Sequence, residues 1–277
     1  MDSVDGNGAG SDSLKEELRR YAQQQDSLFG DIIIPRMRSG APVAQTLPSQ
    51  RDAAAGSEPG ARIEGAKPQD GNSILLERLM LVNEPWVDAP SLDTLNQMIC
   101  SCQKCPLGRT RTKFVFGVGN PNADIVVIGE APGADEDAKG EPFVGAAGQL
   151  LNKILSAINF GREDVYICNI LKCRPPGNRT PERSEVEQCE PYLLRQLDLI
   201  RPKFILALGL TAANTLLNRK ARMGELRGAV HDYNGIKVVV TYHPAALLRN
   251  PQWKRPTWED VQMLRRMYDE TRSSQSA

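Results

Sequence analysis

The chain has 277 residues with 34 basic and 34 acidic side chains, so its formal net charge is zero and its length allows one large domain or two small ones. The charge is uneven: residues 1–90 hold 9 basic and 14 acidic side chains (net −5), and residues 91–277 hold 25 and 20 (net +5). No apolar run approaches the roughly 20 residues of a membrane-spanning helix, and the first residues lack the features of a secretory signal. We therefore expect a cytoplasmic protein without a membrane segment, whose mildly basic part is compatible with a polyanionic ligand.

Residues 1–90 are predicted to form an N-terminal extension of short helices and a linker. Residues 1–12 are rich in Gly, Ser and Asp, which is typical of disorder. A helix is predicted over 13–25, where a serine N-cap precedes leucines at helical spacing, and a short apolar helix is predicted over 74–81. Between them, 35–72 is rich in Ala, Gly, Pro, Ser and Gln and is predicted to be a linker.

Short apolar runs alternate with helical patterns through residues 91–277, which we interpret as one folded domain. The predicted strands cover 125–129, 165–170, 204–208 and 236–241, and the predicted helices cover 91–99, 146–158, 184–200, 211–217 and 257–271. Strands of this length separated by helices indicate an α/β fold with a largely parallel sheet and helices on both faces. We therefore expect a three-layer αβα sandwich around a central, mostly parallel four-stranded sheet.

Polar side chains follow the carboxyl ends of three predicted strands, where open parallel sheets bind their ligands. Glu130 follows the first strand, Asn169 lies at the end of the second, and His243 follows the last. Phe143 lies on the loop after the first strand and is expected to be an exposed aromatic. Each residue alone has an ordinary explanation, such as a strand-end turn or a solvated histidine. Their convergence on one sheet edge favours a binding or catalytic cleft.

A turn and a basic loop near this edge are candidates for phosphate contacts. At Pro132 and Gly133 a tight turn can bring backbone N–H groups close to a ligand. A proline-rich loop between two cysteines carries Arg174 and Arg179, cations that suit phosphates. An ordinary surface loop has the same composition.

A further candidate contact surface follows His243. Leu247 and Leu248 precede Arg249, and an apolar tip beside a cation is typical of a wedge that enters a base stack. A short helical turn packed on the core would show the same residues.

Six cysteines in a chain without a predicted signal indicate thiols or a metal site in a reducing compartment rather than a disulfide framework. A C-x-x-C pair and two distant cysteines can close one thiolate site; these four are Cys102, Cys105, Cys173 and Cys189. The spacing fits zinc or an iron–sulfur cluster and modestly favours the cluster, because a zinc ribbon more often has two C-x-x-C pairs. Four thiols without metal are the alternative.

The other two cysteines are expected to be structural. Cys168 alternates within a predicted strand and is expected to be a buried apolar residue. Cys100 lies two residues before the C-x-x-C pair and is expected to pack at the end of the helix predicted over 91–99. The alternative is that Cys100 replaces one of the four ligands.

Four sequence motifs, together with the four cysteines in this order and spacing, resemble the family 4 (iron–sulfur) uracil-DNA glycosylases. The motifs are Gly129-Glu-Ala-Pro-Gly133, Pro142-Phe-Val-Gly145, Asn169-Ile-Leu-Lys-Cys-Arg-Pro-Pro176 and His243-Pro-Ala245. The resemblance covers about residues 91–272 and does not reach the first ninety residues. Cys100 is an additional cysteine relative to the family pattern.

The resemblance implies a monofunctional DNA N-glycosylase that flips uracil out of DNA and hydrolyses its glycosidic bond, leaving an abasic site in base excision repair. Phe143 would then stack on the uracil, Asn169 would bind its polar edge, and His243 would donate to a pyrimidine oxygen. Glu130 would orient or activate water and, with Ala131, line the uracil site. The resemblance also implies a structural [4Fe–4S] cluster on Cys102, Cys105, Cys173 and Cys189.

The implied partner is uracil-containing DNA, bound by a monomeric enzyme. Because some members of the family are labelled as related to phage DNA polymerases, a replication or repair partner for residues 1–90 is a hypothesis. One alternative is a non-catalytic iron–sulfur module that binds DNA beside the replication machinery. A weaker alternative is a zinc-dependent hydrolase.

Overall fold

The computed structural model describes residue 79 and residues 82–275. In this part of the chain six strands form one sheet: β1 (Val118–Gly119), β2 (Ile125–Gly129), β3 (Tyr166–Asn169), β4 (Phe204–Leu208), β5 (Val230–Tyr233) and β6 (Ile236–Thr241). Their order across the sheet is β1-β3-β2-β4-β6-β5. The chain moves from β2 to β3 on one side and then crosses to β4 on the other. The strand order therefore reverses next to β2, where open α/β sheets bind ligands.

The four central strands β3, β2, β4 and β6 are parallel, which confirms the predicted α/β architecture. Val126 and Ile128 pack on one face of β2, whereas Ile125 and Val127 pack on the other. All four side chains are at most 2% exposed, because layers of helices cover both faces of the sheet.

Two edge strands add to the predicted sheet. β1 pairs antiparallel with β3, and β5 pairs antiparallel with β6. Asn234 and Gly235 connect β5 to β6, both with positive φ, which is the requirement of a two-residue hairpin turn. The Asn-Gly pair was a visible signal for this hairpin. It was missed because β5 is a polar, largely exposed strand.

Helices precede and separate the strands, and their bounds match the predictions closely. They are α1 (Leu92–Ile99), α2 (Leu107–Thr110), α3 (Ala134–Lys139), α4 (Ala146–Ala157), α5 (Arg183–Ile200), α6 (Leu210–Leu216), α7 (Met223–Leu226), α8 (Pro244–Arg249) and α9 (Lys254–Gln275), with 3₁₀ turns at Pro85–Asp88, Pro176–Asn178 and Pro251–Trp253. The helix α9 begins earlier than predicted because a proline in the first turn, Pro256, does not interrupt a helix. The shorter helices α2, α3, α7 and α8 were not predicted.

The folded part extends upstream of the predicted boundary at residue 91. Leu79, Trp86 and Ala89 are buried in the core that also contains α1 and α5, and the Trp86 ring meets Tyr192 edge-on with centroids 4.7 Å apart. Other upstream predictions lie outside the described residues: 1–12, 13–25, 35–72 and, apart from Leu79, 74–81. No helix in the described part of the chain is both long and apolar enough to cross a membrane.

A buried ion pair ties α9 to the carboxyl end of the sheet. Arg227 Nε donates to Asp260 Oδ2 at 2.7 Å, and the Asp260 side chain is 1% exposed. The guanidinium of Arg227 also lies 4.8 Å from the centre of the Tyr242 ring. This pair therefore fixes the residue that precedes His243.

We expect Arg227→Gln to lower the free energy of unfolding by about 3–5 kcal/mol, because a buried carboxylate loses its counter-charge. Arg255→Gln is the matched control, since Arg255 and Glu259, on the same helix as Asp260, form an exposed pair at 3.5 Å that should contribute less than about 1 kcal/mol. The loss of stability in each variant is measured as the shift of its apparent melting temperature from that of the wild type, at one fixed scan rate. Equal shifts would show that the buried pair is no stronger than the surface pair.

Candidate active site

The carboxyl ends of the parallel strands border a cleft of about 370 Å³, a volume in the range of small-molecule sites. Glu130 follows β2 directly, Asn169 is the last residue of β3, and His243 follows β6 by two residues. Phe143, from the loop between α3 and α4, lines the same cleft. The structure thus brings together the four side chains that the sequence predicted to converge.

The sheet register brings Asn169 close to Phe143 through a glycine. Gly129 lies opposite Asn169 in the β2–β3 ladder. A Cβ atom at Gly129 would lie 2.3 Å from Asn169 Oδ1 and 2.6 Å from Phe143 Cζ, so a larger residue would displace both groups. Asn169 is 2% exposed, and its Oδ1 has no hydrogen-bond partner among the described residues. A buried acceptor in this state is costly until a donor reaches it.

Phe143 forms one wall of the cleft and differs from the exposed aromatic that was predicted. Its side chain is 5% exposed, because the ring packs over Gly129 and lies 5.5 Å from the His243 ring, centroid to centroid. Its backbone has φ of 53°, a left-handed conformation that is rare for a bulky residue.

His243 is the N-cap of α8 and is held in one tautomer by that role. The N–H of Ala245 donates to His243 Nδ1 at 3.2 Å. Protein atoms surround most of the ring although part of it faces the cleft, and this burial, together with the nearby cation Arg249, lowers the pKa of His243 to about 4. The imidazole is therefore neutral at physiological pH. With Nδ1 as the acceptor, its proton is on Nε2, which becomes the hydrogen-bond donor.

Glu130 and Ala131 extend β2 into the cleft wall. Backbone pairing continues past the strand end, since Ile170 N–H donates to Gly129 O at 3.0 Å and Leu171 N–H donates to Glu130 O at 3.1 Å. These bonds fix the Glu130 backbone beside the segment that carries Asn169. Both Glu130 and Ala131 are half-buried and line the cleft.

The turn at Pro132 and Gly133 lines the cleft but offers no N–H group for a phosphate. Pro132 has no N–H, and Gly133 N–H donates to Glu136 Oε2 at 3.1 Å. The N–H groups of Val144 and Gly145, at the start of α4, donate to Glu136 Oε1 at 2.9 and 3.1 Å. A carboxylate of the protein therefore occupies the Gly133 N–H group that was expected to face a phosphate, and the contact of this turn with DNA stays a prediction.

Glu136 and Arg162 are two site residues that the sequence interpretation missed. Arg162 donates to the carbonyl oxygens of Pro142 and Phe143 at 2.8 and 3.1 Å. For Glu136 a signal existed, because a glutamate three residues after the N-cap Gly133 has the spacing of a capping box. Arg162 lies 19 residues from Phe143 and carries no local signal.

The predicted phosphate-binding arginines already contact protein groups. Arg179 donates to both carboxylate oxygens of Glu185, at 2.6 and 2.9 Å, and Arg174 Nε donates to Asn178 Oδ1 at 2.8 Å. Arg179 lines the cleft, but its charge is largely compensated by Glu185. Arg249 also lines the cleft and is exposed at the end of α8.

The predicted apolar tip consists of one leucine instead of two. Leu247 is 1% exposed and packs in the core, whereas Leu248 is 50% exposed. The cause is the helical phase of α8, in which consecutive residues point about 100° apart. Only Leu248 retains the position expected of a wedge.

The four cysteines predicted as ligands gather in one region of the core. Cys173 and Cys189 are buried members of the cluster on which Cys102 and Cys105 pack. Among the described residues, no set of three or more His, Cys, Asp or Glu side chains is arranged to hold a single metal ion. Ligands of a four-iron cluster are spread over several iron atoms and need not approach one point.

Hydrogen-bond donors point at three of these sulfur atoms. Arg111 donates to Cys173 Sγ at 3.1 Å, Tyr192 O–H donates to Cys102 Sγ at 3.2 Å, and the Lys172 N–H donates to Cys189 Sγ at 3.3 Å. Donors of this kind stabilise negative charge on sulfur and tune cluster potentials. The residues present therefore fit a thiolate-held cluster.

The remaining two cysteines differ from each other. Cys168 is 1% exposed within β3, which confirms the predicted burial. Cys100 is exposed at the C-cap of α1, where its thiol contacts Gln97 O at 3.5 Å. Cys100 thus lies at the helix end as predicted, but it is exposed and does not pack in the core.

Comparison with known proteins matches these features to one family. The family model of the uracil DNA glycosylase superfamily matches residues 116–262. Relatives named type-4 uracil-DNA glycosylase occur in Archaeoglobus fulgidus, Pyrobaculum aerophilum and Saccharolobus solfataricus, with 48%, 45% and 44% identity. These alignments cover 63%, 62% and 63% of this chain and 92%, 92% and 85% of the relatives. The family model matches more than half of the chain, and the alignments span most of each relative. The chain therefore belongs to the uracil-DNA glycosylase superfamily and, within it, to the type-4 uracil-DNA glycosylases.

Proposed function

We propose that this protein hydrolyses the N-glycosidic bond of uracil in DNA and leaves an abasic site, as a monofunctional enzyme of base excision repair. The observation that carries the proposal is the cleft in which Phe143, Asn169 and His243 meet Glu130. The names of the type-4 relatives support the same substrate.

In the proposed complex, uracil recognition relies on the Asn169 amide, whose Oδ1 atom has no partner among the described residues. A base inside a duplex is inaccessible and must rotate out, at a cost of a few kcal/mol of stacking. In the proposed complex the extruded uracil stacks on Phe143, its N3–H donates to Asn169 Oδ1, and Asn169 Nδ2 donates to O4. Cytosine lacks the N3–H and carries an amino group in place of O4, so this amide discriminates against it.

Bond cleavage relies on His243 and Glu130. Breaking the N1–C1′ bond leaves its electron pair on the base and a positive charge on the sugar. The His243 Nε2–H donates to the O2 atom of the departing uracil anion, an interaction that strengthens as charge develops. Glu130 stabilises the positive sugar and accepts a proton from the water whose oxygen bonds to C1′.

A lysine-dependent lyase step is not part of the proposal. Lys172, three residues after Asn169, is fully buried, and its Nζ donates to Asn169 O at 2.7 Å and to Gln196 Oε1 at 2.6 Å. An ammonium held in this way has no path to the sugar, which supports a monofunctional enzyme.

Contacts with the DNA strand are assigned to exposed residues at the rim. We assign to Leu248 the filling of the space that the flipped nucleotide vacates, and to the adjacent Arg249 a phosphate contact. Arg174 and Arg179 lie on the loop that contributes Pro175, Asn178 and Arg179 to the lining of the cleft. Because Glu185 compensates Arg179, we assign to that arginine the smaller share of phosphate binding.

We also propose that Cys102, Cys105, Cys173 and Cys189 hold a [4Fe–4S] cluster. The proposal is supported by the gathering of the four sulfurs in one core region and by the donors that point at them. When bound, the cluster would supply a structural cross-link between the segments that carry these cysteines.

The competing function is an iron–sulfur module that binds DNA without cleaving it. Incubation with a uracil-containing oligonucleotide followed by alkali distinguishes the two, because an abasic site breaks under alkali. Strand breakage at the uracil position supports the glycosylase. Binding without breakage would support the module and overturn the proposal.

We expect His243→Ala to reduce single-turnover uracil release by about 10²–10³-fold, because the donor to the departing anion is lost. Affinity for the uracil-containing oligonucleotide, measured by fluorescence anisotropy, should change little. His231→Ala is the matched control, since the His231 Nε2 contacts Leu226 O on the β5 side of the sheet and does not line the cleft. Equal losses of rate and affinity in His243→Ala would contradict a transition-state role.

Uracil release should not show a titration of His243 near its ordinary pKa. Burial holds the pKa of His243 at about 4 instead of 6.5, so the imidazole is already neutral below pH 6.5 and its Nε2–H donor is unchanged as the pH rises. Single-turnover rates between about pH 5 and 8 test this. An inflection near pH 6.5 that disappears in His243→Gln would show that the histidine is less buried in the working enzyme.

We expect the protein purified without oxygen to be brown and to contain about four iron atoms per chain. Cys189→Ser should lose most of the visible absorbance and iron, because a buried thiolate ligand is removed. Cys100→Ser is the matched control and should retain both. Colourless protein with stoichiometric zinc would overturn the cluster assignment.

A further inference from the structure

The loop that carries Phe143 is held in an unfavourable backbone conformation. Phe143 has φ of 53°, a region that costs free energy for any residue with a side chain and persists only where the surroundings enforce it. The loop has no regular secondary structure from residue 141 to residue 145. The position of the ring over the cleft therefore depends on groups outside the loop.

Two charged side chains bind the backbone of this loop. Arg162 donates to the carbonyl oxygens of Pro142 and Phe143 at 2.8 and 3.1 Å. Glu136 accepts hydrogen bonds from the N–H groups of Val144 and Gly145 at 2.9 and 3.1 Å. Four consecutive residues thus have one backbone group each bound to an ionised side chain, and such bonds are stronger than neutral ones.

Each of the two side chains is itself anchored. Arg162 also donates to Asn152 Oδ1 on α4 at 3.1 Å, and Glu136 also accepts from Gly133 N–H at 3.1 Å. The loop packs tightly on α4, since a Cβ atom at Gly148 would lie 1.9 Å from Phe143 O. The carbonyl group of Phe143 is therefore confined both by its bond from Arg162 and by the close approach of α4.

We propose that Arg162 is a positioning residue that, with Glu136, fixes the Phe143 ring in the pose that stacks on the extruded base. Its role in catalysis depends on the proposed uracil-DNA glycosylase function. Arg162 does not line the cleft, so it acts through the loop and not by contact with the base. The planar guanidinium reaches two carbonyls and the Asn152 amide at once, which a lysine ammonium on a flexible stem does not reproduce.

Arg162→Gln tests the proposal against a matched arginine. Arg265 also donates to two successive carbonyls, Ile158 O and Asn159 O at 3.1 and 3.5 Å, but it lies at the amino-end side of the sheet, away from the cleft. Arg162→Gln should slow single-turnover uracil release by about 10–100-fold, since small displacements of a positioned group have effects of this size. Arg265→Gln should stay within about twofold of the wild type. Equal rates for the two variants would overturn the proposal.

A double-mutant cycle separates positioning of Phe143 from other effects of the arginine. If Arg162 acts through the ring, its loss should have little further effect once the ring is gone. The rate of Phe143→Leu combined with Arg162→Gln should therefore lie within about twofold of Phe143→Leu alone. Losses that multiply would show that Arg162 acts independently of Phe143, and the proposal would be wrong.

Hydrogen exchange tests, without any catalytic readout, whether Arg162 and Glu136 clamp the loop that carries Phe143; these two side chains with their bonds to the loop are called the clamp. Amide exchange in the peptide spanning residues 142–147 should accelerate about tenfold or more in Arg162→Gln and remain unchanged in Arg265→Gln. If the wild type releases no uracil, the proposed function fails while this measurement still decides whether the clamp exists. If Arg162→Gln does not fold, Asn152→Ala and Arg162→Lys carry the same test, and unchanged exchange in both would overturn the proposal.

Discussion

The register of β2 against β3 is the constraint on which the cleft depends. It places Gly129 opposite Asn169 at the carboxyl ends of two parallel strands, and the missing side chain leaves the space that the Asn169 amide and the Phe143 ring both approach. A shift of one residue would turn the Asn169 side chain to the other face of the sheet. The apolar strands that fix this register, buried on both faces, therefore determine the geometry of the cleft as well as the stability of the fold.

Burial gives the polar residues of the cleft their chemical character. His243 is kept neutral because desolvation lowers its pKa, and the capping bond from Ala245 leaves Nε2 as the donor. Asn169 Oδ1 is buried without a partner among the described residues, so it is an acceptor that a ligand with an N–H group can engage. In the proposed function this acceptor favours a ligand with that donor over an analogue without it.

The sequence was sufficient for features that local patterns determine. The four parallel strands and the longer helices follow from apolar periodicity, and parallel strands necessarily bring Glu130, Asn169 and His243 to one edge. It was insufficient where the outcome depends on packing between distant segments. The exposure of Leu247 or Leu248 depends on the phase of a six-residue helix, and the compensation of Arg179 depends on the start of α5. The capping-box spacing marks Glu136, but its bonds to Val144 and Gly145 and the bonds of Arg162 depend on the path of the Phe143 loop, which no local pattern specifies.

The cysteine region and the cleft share one short segment of chain. Asn169 and Cys173 are four residues apart, and Lys172 between them is fully buried with its ammonium bound to Asn169 O and Gln196 Oε1. Its N–H donates to Cys189 Sγ, so one residue contacts both the backbone of Asn169 and a cysteine of α5. Burial lowers the pKa of the Lys172 ammonium, and the nearby cysteine sulfurs oppose that effect. Anything that binds these sulfurs as thiolates therefore adds negative charge beside the buried cation and rigidity to the segment that ends in Asn169.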